Sequence, residues 1–146
     1  MWAVCNPKTE DELNECEALG HSLSRLMQPT ILTVLKKYNE PLHGYVIVQK
    51  VAESPMFGGK KPDPTGTYRT LKKMEECGYV TSEWKTPEKG SPKRVFSLTD
   101  AGERCLRRWI DALACYTYTI ELLRSDASDS LGIDLPELPQ CHQAAQ

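Results

Sequence analysis

Arg69, Lys72 and Lys73 follow Thr65 at intervals of four, seven and eight residues, and Glu76 closes the same series. On an α-helix those intervals bring the side chains to one face. A guanidinium can grip a base edge or phosphate with two hydrogen bonds, and ammonium groups act as point charges toward phosphate. A second set, Lys89, Lys93 and Arg94, surrounds the breaker-rich stretch Thr86-Pro87-Glu88-Lys89-Gly90-Ser91-Pro92-Lys93. Two cationic clusters, one on a helix and one in a loop, suit an extended polyanion better than a small substrate. Near the start of the helix, Thr65, Thr67 and Arg69 are placed to meet base edges. Tyr68, and more weakly Tyr45, are candidates for contact with the sugar–phosphate backbone.

Other chemistry is poorly provided for. No nucleophile–base motif or complete phosphate-binding loop is present, so catalysis is not expected. Gly58-Gly59-Lys60-Lys61 reads as a flexible basic loop. His43 and the adjacent pair Cys141-His142 lack companions at metal-ligand spacing, so neither a metal nor another cofactor is expected. The six cysteines form no Cys-x-x-Cys pair and read as reduced thiols. Cys105 and Cys115 fall on one expected helix, about 15 Å apart along its axis, too far to bridge.

The net charge of −2 conceals a sharp polarity. Residues 60–108 hold twelve Lys or Arg against seven Asp or Glu, whereas residues 109–146 hold one against six. Local field, not total charge, governs phosphate contact. No run reaches the ~18 apolar residues of a membrane span, and the N-terminus lacks a signal-peptide pattern. A cytoplasmic protein with no membrane partner is expected.

The elements that must position these residues are legible from period and punctuation. Residues 9–20 read as a short acidic helix closed by Gly20. A second helix starts near Pro29, carries Ile31, Leu32, Val34, Leu35 and Tyr38, and ends at Asn39-Glu40-Pro41. A third covers Leu42 to Ala52, followed by a loop from Ser54 to Asp63. The cationic helix then opens with Asp63 as cap and Pro64 in its first turn, and closes at Gly78. Its apolar line is Tyr68, Leu71 and Met74. Tyr79–Lys85 and Arg94–Leu98 read as two strands. Thr99 caps a long last helix on which Leu106, Trp109, Leu113, Tyr116, Ile120 and Leu123 are spaced 3, 4, 3, 4, 3. Such a heptad seam needs a partner, either its own domain or the same helix of a second chain.

This order predicts an α+β, mostly α, winged helix-turn-helix domain with a long C-terminal dimerisation helix. The expected division is an acidic helical extension at 1–22, the DNA-binding domain at 23–99, the dimerisation helix at 100–124 and a flexible tail at 125–146. Three blocks carry a closer likeness. Pro41-Leu42-His43-Gly44-Tyr45, the run Tyr68–Val80, and Phe96-Ser97-Leu98-Thr99-Asp100-Ala101-Gly102 resemble the signature blocks of the PadR family. The likeness spans about residues 26–124.

The resemblance implies a sequence-specific transcriptional regulator. It would be a repressor that binds a palindromic operator in double-stranded DNA as a homodimer. A small aromatic ligand at the dimer interface, near Trp109 and Tyr116, would relieve it. The competing reading is a winged-helix module used only for protein–protein contact. That reading has no need of cations on both helix and loop.

Overall fold

The computed structural model describes residues 26–57 and 63–138. The expected acidic helix at 9–20, the 58–61 loop, Cys5, Cys16, Cys141 and His142 lie outside the described residues. Helix α1 runs Met27–Tyr38, strand β1 Leu42–His43, α2 Gly44–Glu53 and α3 Pro64–Glu76. Strands β2 (Val80–Lys85) and β3 (Lys93–Leu98) follow, and α4 covers Asp100–Leu131. The expected class holds: three short helices, a small antiparallel sheet and one long C-terminal helix.

Each short helix buries one stripe in a shared core. Ile31, Leu32 and Leu35 of α1 meet Ile47 and Val51 of α2, Leu71 and Met74 of α3, and Val80 and Phe96 of the sheet. Burying a side chain of this size stabilises by about 1.5–3 kcal/mol. Proline 29 sits in the first turn of α1, where its missing N–H has no intrahelical acceptor to lose. Asn39 ends that helix in a left-handed conformation, with its N–H bonded to the Leu35 carbonyl.

The sheet order is β1-β3-β2, and β2 and β3 pair in register from Val80↔Leu98 to Lys85↔Lys93. Leu42-His43, expected as the first residues of a helix, is instead a strand, paired as Leu42↔Phe96 and His43↔Val95. Proline 41 biases the residue before it toward extended backbone. The free edge of β3 then offers the next two residues hydrogen bonds that a helix start cannot supply.

The turn into α4 explains the Thr-x-x-Gly spacing of the third block. The Thr99 hydroxyl accepts from the Gly102 N–H at 3.0 Å and donates to the Gly78 carbonyl at 2.6 Å. One side chain therefore caps α4 and fastens it to the end of α3. Gly102 packs so close that a Cβ there would lie 2.1 Å from the Tyr79 carbonyl oxygen, a backbone atom that cannot yield.

Helix α4 touches its own domain only along its first part. Gly102 and Cys105 are buried, and Leu106 and Trp109 are half-buried against the core. The Trp109 indole N–H donates to Gln28 Oε1 at 2.9 Å, and Lys36 pairs with Glu103 at 2.9 Å. The Lys36 ammonium, helped by Arg107, holds the Glu103 carboxyl below the usual carboxylate range. The tail expected from residue 125 begins later, because the helix continues to Leu131 and ends at Gly132 with φ 65°. Residues 133–136 turn back along it: Ser128 Oγ donates to the Ile133 carbonyl at 2.6 Å, and the Arg124 guanidinium donates to the Pro136 carbonyl. The local hydrogen bonds of Ser128 and Arg124 offset the poor helix propensity of the Ser/Asp-rich end.

Candidate nucleic-acid interface

Helix α3 is fixed at its start by Asp63, whose carboxylate accepts from the backbone N–H groups of Thr65 (3.2 Å) and Gly66 (3.1 Å). Such a cap stabilises by about 1 kcal/mol and sets where the first turn points. The buried line of the helix is Thr67, Leu71 and Met74. The sequence pattern places Tyr68 in that line and Thr67 among the residues near the helix start that meet base edges. Thr67 is 0% exposed, with its hydroxyl donating to the Asp63 carbonyl at 3.2 Å, so it cannot meet a base. The period explains the exchange: i, i+4, i+7 from Thr67 fits the helix better than i, i+3, i+6 from Tyr68, which drifts off the core.

Tyr68 is 43% exposed and lies over Gly44. A Cβ at Gly44 would fall 2.4 Å from the tyrosine ring. Glycine at the start of α2 thus lets Tyr68 lock α2 to α3 while part of its ring remains at the surface. Tyr45, beside it, is exposed. The outer face of α3 carries Thr65, Arg69, Lys72, Lys73 and Glu76, all exposed.

The β2–β3 hairpin forms the wing. Its tip includes Gly90 at φ 110°, and Lys89 and Lys93 are exposed. Arg94, expected among the phosphate contacts, is otherwise engaged. Its Nε donates to Ser82 Oγ at 2.9 Å, its terminal nitrogen pairs with Glu75 at 2.5 Å, and its guanidinium lies 5.2 Å over the Phe96 ring. Ser82 Oγ donates to the other Glu75 oxygen at 2.5 Å. Arg94 therefore braces the wing against the end of α3. The strand period puts it on the α3 side, opposite the outer face that Lys93 occupies.

Two exposed wing residues were not singled out from sequence. Lys85 stands opposite Lys93 in the register, and Trp84 stands opposite Arg94. Their signal was the alternation of β2, which runs from buried Val80 through half-buried Ser82 to exposed Trp84.

Among the described residues, six cations form ion pairs: Lys36, Lys50, Lys85, Arg94, Arg107 and Arg124. Eight described cations form none, and five of these lie on α3 or the wing: Arg69, Lys72, Lys73, Lys89 and Lys93. The other three, Lys37, Arg104 and Arg108, are at the end of α1 and the start of α4. No described helix is long and apolar enough to cross a membrane.

The expected dimer seam divides in two. Leu106 and Trp109 are half-buried against their own domain, which covers part of the start of the stripe. Leu113 is half-buried, whereas Tyr116, Ile120 and Leu123 are exposed by 52%, 63% and 69%.

The model of the transcriptional regulator PadR-like family matches residues 31–108. Among solved structures, the fold resembles that of a proposed transcriptional regulator from Thermoplasma acidophilum. The two share 34% identity over 70% of this chain and 94% of that one, with a TM-score of 0.60. Bacillus subtilis PadR, solved in complex with operator DNA, is 26% identical over 72% of this chain and 65% of that one, with a TM-score of 0.50. A PadR family transcription regulator from Clostridium difficile shares the fold at 19% identity, over 67% of this chain and 97% of that one, with a TM-score of 0.55. A comparison with curated protein sequences found no match.

Proposed function

The chain belongs to the PadR-like family of transcriptional regulators, and from that premise we propose that it binds an operator in double-stranded DNA as a homodimer and represses transcription in the cytoplasm. The observation that carries this reading is the gathering of unpaired cations on α3 and the wing. Five of the eight described cations that form no ion pair lie on α3 or the wing, which concentrates positive charge there. Helix α3 would enter the major groove, with Thr65 and Arg69 at base edges. Lys72, Lys73, Lys89 and Lys93 would lie on phosphates, and Tyr45 and the exposed edge of Tyr68 beside the backbone. The likeness to Bacillus subtilis PadR, seen with operator DNA, supports the same use of the domain here.

Arg69 gives the direct test. A bidentate contact with guanine contributes about 1–3 kcal/mol of discrimination. Arg69→Ala should therefore lower affinity for a duplex selected by the wild-type protein about 5- to 150-fold, and affinity for random duplex far less. Fluorescence anisotropy on both duplexes measures this. Equal loss on the two would move Arg69 to the phosphate backbone, and a wild-type protein that selects no duplex would end the DNA-binding reading.

The free half of α4 supplies the homodimer. Arg104, Arg107 and Arg108 lie near its start, and Asp126 and Asp129 near its end. An antiparallel pair of α4 helices sets each basic end against the partner's acidic end, while Tyr116, Ile120 and Leu123 bury each other. We further propose that a small planar aromatic ligand at this interface relieves repression. Tyr116 is open there, and the Trp109 ring is held in place by Gln28 at the edge of the seam. Ligand binding shifts the regulator only if it favours one arrangement of the two domains over the other. Titration with planar aromatic acids should quench the emission of the wild-type protein but not of Trp109→Phe. Flat titrations across a broad set would remove the sensor from this reading.

A further inference from the structure

We propose that Trp84 is a DNA-contacting residue of the wing, its indole packing on the deoxyribose wall of the groove beside the one that α3 enters; the proposal rests on the DNA-binding reading above. Trp84 is 67% exposed, in a strand whose other large apolar residue, Val80, is buried. Alternation along β2 puts Trp84 on the same face as Ser82, and the register sets it opposite Arg94. Both Ser82 and Arg94 are bonded to Glu75 at the end of α3. That face of the hairpin is therefore the one turned toward α3, and Trp84 lies on it one step nearer the wing tip, beyond the reach of the core.

The surroundings select the partner. Lys85 and Lys93 are directly opposed across the two strands, an arrangement of like charges that disfavours the hairpin on its own. Glu83 offers Lys85 only a distant partner at 3.8 Å. A polyanion along the wing would offset this repulsion, and the large flat indole, which alternation sets on the other face of the same hairpin from the two ammonium groups, suits the sugars between phosphates. Arg94 cannot take that place, because its guanidinium is committed to Glu75 and Ser82. Trp84 thus adds a contact that releases no counterion, on a wing whose exposed lysines each release about one.

This difference is what an experiment can read. Against the duplex selected by the wild-type protein, Trp84→Ala should lose affinity on the order of tenfold at every salt concentration, and its plot of log affinity against log salt should keep the wild-type slope. Trp84→Phe, which keeps an aromatic face, should recover most of that affinity. The emission of the wild-type protein and of Trp109→Phe should change on adding duplex, and that of Trp84→Phe should not. The proposal is overturned if Trp84→Ala binds as the wild type does. It is also overturned if Trp84→Ala changes the salt slope as a lysine variant would, or if Trp84→Phe keeps the full emission change. Failure of the wild-type protein to bind any duplex is a separate outcome and removes the DNA-binding reading itself.

Discussion

Raising the salt concentration from 50 to 200 mM should weaken operator binding by about 10³- to 10⁵-fold, the range for a protein making six to ten phosphate contacts. Lys72, Lys73, Lys89 and Lys93 supply four candidates per protomer, hence eight in a dimer. All four are exposed, and among the described residues none is tied into an ion pair. Neutralising one of them in both protomers should reduce the magnitude of the log–log slope by about 1.8, since each lost contact removes about 0.9. Arg94→Ala should behave differently. Its charge is already neutralised by Glu75, so the variant should lower thermal stability while leaving the slope nearly intact. Anisotropy titrations at four or more salt concentrations decide both points. A slope unchanged in Lys89→Ala and Lys93→Ala would detach the wing from the phosphate backbone.

Ile120→Glu should convert the dimer to monomers and lower operator affinity by about 10²- to 10⁴-fold, the advantage that linking two half-site contacts confers. Ile120 is 63% exposed in the single chain, so a glutamate there disturbs no packing within the protomer. Across a twofold seam it would place two carboxylates in an apolar stripe, where desolvation and repulsion both oppose pairing. Sedimentation velocity reads the oligomeric state, and thermal unfolding of the domain serves as the control for folding. A dimer of unchanged stability would show that the exposed stripe of α4 is not the interface. Leu113→Glu is a poorer probe because Leu113 is half-buried within its own chain.

Much of the fold was legible because its signals are local. Asp63 and Pro64 mark the start of α3, and the observed cap uses the Asp63 carboxylate as the residue type implies. Thr99 caps α4 and Gly78 takes a positive φ of 78° after α3. The hairpin was readable because the period changes from helical to alternating after Gly78, and the strands begin and end within a residue of expectation.

What the sequence determined by itself was the order of elements, the positions of their caps, and the segregation of cations to α3 and the hairpin, since each depends on neighbours a few residues apart. Tertiary structure decided which of those residues are available. Thr67 turns into the core because Leu71 and Met74 fix the rotation of α3. Arg94 is lost to the phosphate set because the wing folds back onto Glu75, nineteen residues away. Leu42 and His43 become a strand because β3 leaves an edge open. Leu106 and Trp109 are partly covered because α1 reaches them, Trp109 through a bond to a residue eighty-one positions distant. A periodicity states that a face is apolar, but it cannot state which surface covers it. That choice is made by long-range packing, where burial of whole faces outweighs any local preference.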